Sequence, residues 1–387
     1  MLSMIIRPFR EHHLLNLLES YENQEIPLDL CIHHYFKKNH SLGSKDRAYI
    51  AENIYGLVRW LALIDFLAEG KPDWSTRLKI WEELDPEVYR NDSSIPAHIR
   101  LSFPKSLYNL FVESMGKETG EDVCWACNFP APTTVRANTL KTTRQHLLDL
   151  WEKEYEVVPC EESPEGIRFL KKINFFQLPE FQSGCFEVQD EGSQLLAGMV
   201  KAEPGQKVLD YCSGSGGKTL AFAPFMKGKG QIYLHDIRTH ILTEAKRRLK
   251  RAGIQNAQIL LPEDPKKKKL KKSFDWVLVD APCSGTGTLR RNPDMKWKFS
   301  EEMLNRLIGQ QRTIFEKALS FVKPGGMIVY GTCSILKQEN QDQVDHFLKT
   351  YPIELQGDIF QSFPKREKMD GLFGACFHAS SLIKSSQ

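Results

Sequence analysis

The stretch Val208-Leu209-Asp210-Tyr211-Cys212-Ser213-Gly214-Ser215-Gly216-Gly217-Lys218-Thr219 decides the fold. An apolar run closes on a carboxylate, glycines follow at Gly214, Gly216 and Gly217, and Lys218-Thr219 open the next run. Such a pattern is a strand entering a glycine turn and then a helix, which lets backbone N–H groups approach a ligand closely. The same turn also serves simply to pass a strand into a helix, so this segment alone leaves a structural role open.

Runs of strand length recur at 207–211, 231–235, 257–261, 274–279 and 327–330, with helical intervals between them. Strands alternating with helices predict a doubly wound, mainly parallel sheet whose ligands sit at the carboxyl ends of the strands. The helix after the second strand carries Ile241, Leu242, Ala245 and Leu249 on one face, and Gly253 is placed to end it. Two cofactors compete for the turn. Gly217-Lys218-Thr219 resembles the end of a phosphate loop, which favours a nucleoside triphosphate, whereas a carboxylate beside the glycines favours S-adenosylmethionine. The phosphate-loop template needs a glycine at 217 − 5 = 212, and Cys212 stands there. Asp236 closes the second strand 236 − 216 = 20 residues after Gly216, the distance at which such folds offer a carboxylate to ribose hydroxyls. Asp264, or its neighbour Glu263, is a candidate adenine contact, with a plain turn before Pro265 as the alternative.

The first third reads as helical: in 47–68, Ile50, Ile54, Leu57, Val58, Leu61 and Ile64 recur at three-to-four spacing and form one buried stripe. A Pro-, Ser- and Asp-rich interval, 85–104, separates it from a further helix, 106–115. Apolar runs at 133–137, 166–170 and 174–178 suggest a small α+β connector. The expected boundaries are 1–120 for the helical domain, 121–200 for the connector and 201–387 for the sheet domain.

A chain of 387 residues is long enough for two or three domains of ~150 residues. With 41% hydrophobic and 26% charged residues, disorder as the dominant state is excluded. The net charge of 52 − 49 = +3 means that a nucleic-acid partner must be met by a local basic face. Nine scattered cysteines do not make a secreted disulfide framework, and residues 1–15 lack an apolar export core, so a reduced, cytoplasmic protein is expected. The most apolar stretch, 57–68, contains Arg59 and Asp65 and is shorter than the ~20 residues of a membrane span, so no membrane partner is expected.

Two cysteines end two core strands: the run at 274–279 delivers Asp280-Ala281-Pro282-Cys283-Ser284-Gly285, and 327–330 delivers Gly331-Thr332-Cys333-Ser334. Cysteine is usually a small buried hydrophobe, but two of them at strand ends beside a carboxylate point to chemistry. A helix expected over 338–348 would place its N-terminus near Cys333 and lower the thiol pKa. Carbon 5 of a pyrimidine is too weakly nucleophilic to take a methyl group directly; thiolate addition at carbon 6 activates it. Asp280 would then protonate or hydrogen-bond N3, and Cys283 would assist release.

Together with Val135-Arg136-Ala137-Asn138-Thr139-Leu140-Lys141, Val188-Gln189-Asp190-Glu191-Gly192-Ser193, Arg291-Asn292-Pro293-Asp294 and Asp370-Gly371-Leu372-Phe373, these motifs resemble the Sun family of RNA cytosine-C5 methyltransferases. The sequence is most similar to the bacterial 16S ribosomal RNA enzymes of that family. The resemblance implies an α/β, Rossmann-like S-adenosylmethionine-dependent methyltransferase domain, an N-terminal helical NusB-like domain and a small α+β connector. It implies Cys333 as nucleophile and Cys283 as the release cysteine. Cys212, Ser213, Gly214, Ser215, Gly216, Gly217, Lys218, Asp236, Asp264 and Asp280 would line the cofactor site. Ser41-Leu42-Gly43-Ser44-Lys45-Asp46-Arg47 and Tyr55-Gly56-Leu57-Val58-Arg59-Trp60 resemble the NusB-type RNA-binding domain, which fades after about Gly70. Ser215 stands where the family usually has proline, and with few residues after Phe373 no additional C-terminal RNA-binding domain is expected.

The implied cofactor is S-adenosylmethionine and the implied partner is RNA, ribosomal RNA first and transfer RNA as the alternative. A phosphate-loop NTPase using Lys218 and Asp280, and an RNA-binding assembly factor without turnover, are the competing classes. No metal is expected: Cys124-Trp125-Ala126-Cys127 has ligand spacing but no second pair, and His12-His13 and His33-His34 read as surface or packing residues. Arg136, Arg290, Arg291 and Lys296 are candidate RNA-facing residues or ordinary surface charges. The lysine-rich run 266–272 reads as a solvated loop or an RNA contact.

Overall fold

The structure, a computed structural model, describes residues 8–22 and 26–380. Residues 1–7 of the stretch read for an export signal lie outside them. The chain forms two units, Met1–Pro130 with Thr288–Ser300, and Ala131–Gly287 with Glu301–Gln387.

The first unit is helical, with principal helices Phe9–Glu22, Leu28–Lys38, Ser44–Leu67, Trp74–Glu83, Lys105–Met115 and Lys117–Cys127. The expected stripe is realised in Ser44–Leu67: Ile50, Ile54, Leu57, Val58 and Ile64 are buried, and Leu61 is half-buried. That helix kinks at Trp60 (φ −105°, ψ 16°), and its neighbours show why. Ala62 N–H donates to Ser102 Oγ (3.0 Å), while the Val58 carbonyl accepts from Trp297 Nε1 (2.8 Å) and the Arg59 carbonyl from Lys296 Nζ (2.7 Å). Side chains thus replace part of the helical ladder, a recognised cause of a kink. Lys296 is 1% exposed, also bonds Asn128 Oδ1 (2.7 Å) and lies over Phe103. Burial drives its pKa well below the usual lysine value. Arg290 is equally buried, and its carbonyl accepts from Arg59 Nη2 (3.0 Å). Neither Lys296 nor Arg290 is therefore the RNA-facing cation or surface charge read from the sequence; Arg291 is exposed. Cys124 and Cys127 are both buried at the end of Lys117–Cys127. Among the described residues no helix is long and apolar enough to cross a membrane.

The second unit contains two sheets. The smaller is antiparallel, built from β1 (Thr133–Ala137), β2 (Val157–Pro159), β3 (Gly166–Phe169) and β4 (Phe186–Val188) in the order β2-β3-β1-β4. Its core joins Val135, Ile167, Phe169 and Phe186 to Leu147 and Trp151 of the helix Arg144–Trp151. The run 174–178, read with the strands, is instead a 3₁₀ turn at Phe175–Gln177, and β2 and β4 supply the remaining two strands. Arg136 of β1 is buried, with Nε donating to Gln189 Oε1 (2.8 Å), and burial lowers its pKa to about 10. It too is neither RNA-facing nor a surface charge.

The larger sheet comprises β5 (Lys207–Asp210), β6 (Gln231–Leu234), β7 (Ala257–Ile259), β8 (Phe274–Asp280), β9 (Val322–Thr332), β10 (Ile353–Leu355), β11 (Phe360–Gln361) and β12 (Phe373–Ala379). Its order is β10-β12-β9-β8-β5-β6-β7, with β11 beside β12. β5 to β9 pair in parallel, as expected, and β12 adds antiparallel to β9. Successive residues face opposite sides. Leu209, Val277 and Ile328 join Phe315 and Phe347 in one core layer, and Val208, Leu278 and Val329 join Leu242 and Leu249 in the other. Both faces are covered by helices, so these strands read as continuous apolar runs. The carboxyl ends of β5, β6, β8 and β9 consequently converge on one edge, where the candidate residues lie.

Candidate active site

The turn after β5 is set by Gly214 (φ 51°) and Gly216 (φ 79°), left-handed conformations that glycine adopts without strain. Gly216 caps a short helix, Gly217–Phe222. The Gly214 N–H donates to Asp236 Oδ2 (2.9 Å), tying the glycine turn to the end of β6. Asp236 is almost fully buried and also accepts from the backbone and guanidinium of Arg238, at 2.9–3.0 Å. Burial raises its pKa, but the Arg238 and Gly214 hydrogen bonds outweigh it and hold the carboxyl below the usual value. Asp210 is fully buried, accepts from Thr219 Oγ1 (2.7 Å), and is pushed up to about 7 by burial. Ser213 presents a buried hydroxyl with no hydrogen-bond partner among the described residues.

Lys218 reaches back to Asp280 at the end of β8, Nζ to Oδ2 2.5 Å. Burial opposes the ammonium, yet the Asp280 carboxylate keeps the Lys218 pKa above its ordinary value. The lysine that a phosphate-loop reading would place on phosphates is committed to a carboxylate. Asp264 lies in the turn after β7, where its Oδ1 accepts the Lys266 N–H (2.9 Å), the turn role weighed for it. The lysine run is a helical turn, Lys266–Lys269, rather than a loop, and Lys267 Nζ donates to His235 Nε2 (3.1 Å) and the Pro262 carbonyl (3.0 Å).

Beyond β8 and β9 the two sequence-selected cysteines meet, with Sγ atoms of Cys283 and Cys333 3.3 Å apart. Both are half-buried. Either sulfur could donate in this pair. With Cys283 as the donor, the bond holds the Cys333 thiol below its ordinary pKa against burial and the Asp280 carboxylate, the Lys218 ammonium helping, while the Cys283 thiol is held well above. Cys212 is pushed up by burial and then by the carboxylates of Asp280, Asp210 and Asp236. Of these three thiols, Cys333 alone shifts toward thiolate. The expected helix dipole is not the cause, because that helix begins at Gln341, after a 3₁₀ turn Lys337–Glu339.

Residues that sequence reading did not single out hold the two cysteine loops together. The fully buried Glu339 carboxylate accepts from Ser284 N–H (2.9 Å), Ser284 Oγ (2.5 Å) and Gln311 Nε2 (2.9 Å). Asn340 bridges Thr332 Oγ1 (2.7 Å) and the Ser334 carbonyl (2.9 Å). Gly287 N–H donates to the Cys333 carbonyl (2.9 Å), and a Cβ on Gly287 would stand 1.9 Å from the Gly371 carbonyl oxygen, so only glycine fits. The signal available was Glu339-Asn340 in sequence, a polar pair shortly after Thr332-Cys333-Ser334.

The description of the 16S rRNA methyltransferase RsmB/F family matches residues 197–378, and that of the RsmF/B-like ferredoxin-like domain matches 103–175. The ribosomal RNA small subunit methyltransferase B of Yersinia enterocolitica is 31% identical over 311 residues, 76% of this chain and 67% of the relative. The chain belongs to the RsmB/F methyltransferase family. A probable member of the same name from Synechocystis is 33% identical over 65% of this chain, and the chain spans 57% of that relative's length. Among solved structures, PH0851 shares the fold with a TM-score of 0.80 over 96% of this chain and 99% of its own, at 23% identity. A methyltransferase homolog from Pyrococcus horikoshii aligns with a TM-score of 0.65 over 75% of this chain and 99% of its own, at 25% identity.

The family's fold uses S-adenosylmethionine, and the crevice fits it. A Cβ on Gly217 would meet nothing within 4 Å, so the turn is open where a ligand approaches. The Arg238 side chain on Asp236 is 56% exposed and can give way to a ribose diol. Asp236→Ala should therefore weaken S-adenosylmethionine binding about ten- to a hundredfold in calorimetry, the scale of one or two hydrogen bonds to a charged group. Unchanged affinity would remove Asp236 from the site.

Proposed function

We propose that this chain methylates carbon 5 of a cytosine in RNA, with 16S ribosomal RNA as the substrate and transfer RNA as the alternative. The observation that carries the reading is the sulfur pair, Cys283 and Cys333 3.3 Å apart beyond the ends of β8 and β9, beside the Lys218–Asp280 ion pair. S-adenosylmethionine, when bound, supplies an electrophilic methyl group. The Cys333 thiolate adds to carbon 6, and the electrons of the carbon 5–carbon 6 double bond move so that carbon 5 becomes nucleophilic. As charge builds on the ring, N3 takes a proton that the Lys218 ammonium passes through Asp280, and the Asp280 carboxylate then accepts a hydrogen bond from N3–H. Once carbon 5 carries the methyl group, its proton passes to a solvent water and the C–H electrons restore the double bond. The electrons of the carbon 6–sulfur bond return to Cys333 as thiolate, and N3 gives its proton back to the Lys218–Asp280 pair.

A base inside a duplex cannot reach a thiol at the bottom of a crevice, so the target cytosine lies in a single-stranded or locally opened segment. The helical domain, as its NusB-like sequence suggests, is the RNA-binding part in this reading. The names of the relatives support the small-subunit ribosomal substrate.

The test is methyl transfer from labelled S-adenosylmethionine to naked 16S RNA, to small-subunit particles and to transfer RNA, followed by nucleoside digestion. Label in 5-methylcytidine from one of the two ribosomal samples is expected. Label only in transfer RNA would reassign the substrate, and label on another atom or none at all would overturn the chemistry.

A further inference from the structure

The cofactor turn is built on two left-handed glycines, Gly214 and Gly216, and so gives up much freedom when it adopts one shape. Something outside the turn has to hold it. Arg248, on the helix Thr239–Ala252, donates from Nη1 to both the carbonyl (3.1 Å) and the hydroxyl (2.6 Å) of Ser215. The rest of the same guanidinium faces away from the turn, with Nη2 3.0 Å and Nε 3.3 Å from Glu187 Oε2. Glu187 is 3% exposed on β4, and its other oxygen pairs with Arg251 Nη2 (2.5 Å). The same stretch of chain holds a second carbonyl of the turn: Gln189 Nε2 donates to Gly217 O (3.2 Å), and Gln189 is itself fixed by the buried Arg136.

We propose that Arg248, locked by Glu187, is a positioning residue that sets the shape of the cofactor turn, so that an edge strand of the small sheet controls cofactor affinity. A buried ion pair by itself is weak evidence for stability. What this one provides is geometry. The planar guanidinium spends two donors on a rigid carboxylate and a third on the Ser215 carbonyl and hydroxyl, which fixes Ser215 relative to β4. A lysine has one ammonium on a flexible stem and cannot hold both partners in one plane. Arg248 touches no reacting atom in this arrangement. The affinity part of the inference rests on the methyltransferase reading; the clamp itself does not.

Hydrogen exchange of the ligand-free protein therefore tests the clamp directly. In Arg248→Met, the amides of residues 213–217 should exchange about tenfold faster, while those of β5 and β8 keep their protection. Arg248→Lys should not restore the slow exchange. By calorimetry, the S-adenosylmethionine dissociation constant should rise about tenfold in Arg248→Met and about threefold in Ser215→Ala, with the double variant no worse than Arg248→Met alone. Unchanged exchange at 213–217, or an equal increase across the whole sheet, would overturn the inference. If Arg248→Met does not fold, Glu187→Gln and Ser215→Ala carry the same exchange comparison. Wild-type protein that binds no S-adenosylmethionine would sink the methyltransferase reading, and the exchange result would still decide the clamp.

Discussion

Cys333→Ala is expected to lose methyl transfer by at least about 10⁴-fold, the scale of removing a covalent nucleophile, while S-adenosylmethionine binds within about twofold of wild type. Neither neighbouring sulfur, Cys212 or Cys283, can take over. Cys212 is driven up by burial and by three neighbouring carboxylates, and the Cys283 thiol is held well above the ordinary thiol range by its hydrogen bond with Cys333 and by burial. The substitution also leaves the loop intact. The Cys333 carbonyl still accepts from Gly287 N–H, and Ser334 N–H still bonds Thr332 Oγ1 at 3.2 Å. A change in the melting curve should therefore be slight, and lost turnover can be assigned to the missing sulfur. Full-speed turnover in this variant, on RNA that the wild type methylates, would exclude a cysteine adduct through Cys333.

The parts of this site that are legible in the sequence are those dictated by chain neighbours. A parallel strand buried on both faces has to be apolar along its length, so 207–211 and 274–279 announce themselves, and whatever follows them stands at the open edge of the sheet. That reasoning alone brings Asp236, Asp280, Cys283 and Cys333 to one edge, and the structure brings the two sulfurs into contact. What is not legible is partnership between distant residues. A lysine or arginine in sequence looks like a surface charge, yet Lys296 fills the gap left by a kinked helix and Arg136 lies under Gln189. Glu339 looks like an ordinary solvated carboxylate until Ser284 and Gln311 are seen to donate to it. The segments after 330 escaped for a different reason. β10 and β11 are short edge strands, and β12 owes its place to antiparallel pairing with β9, for which strand–helix alternation gives no cue.

Cys283→Ala is expected to keep the first half of the reaction and stall the second, so that covalent protein–RNA complex accumulates as a shifted band on a denaturing gel. Adduct formation needs the Cys333 sulfur, Lys218 and Asp280, all of which remain. Release needs carbon 5 to lose its proton while the carbon 6–sulfur bond breaks and negative charge returns to Cys333 Sγ. In the wild type that charge meets the Cys283 S–H, 3.3 Å away, and a thiol held far above its ordinary pKa stays protonated to donate. Without that donor the returning thiolate sits half-buried beside the Asp280 carboxylate, which raises its pKa and makes sulfur a poorer leaving group. The same loss weakens Cys333 as a nucleophile, so adduct should form more slowly and yet persist, because the stalled step is the later one. The double variant Cys283→Ala/Cys333→Ala should give no band. A band that persists in it would place the bond on another residue, and adduct accumulating in Cys333→Ala but not in Cys283→Ala would exchange the two roles.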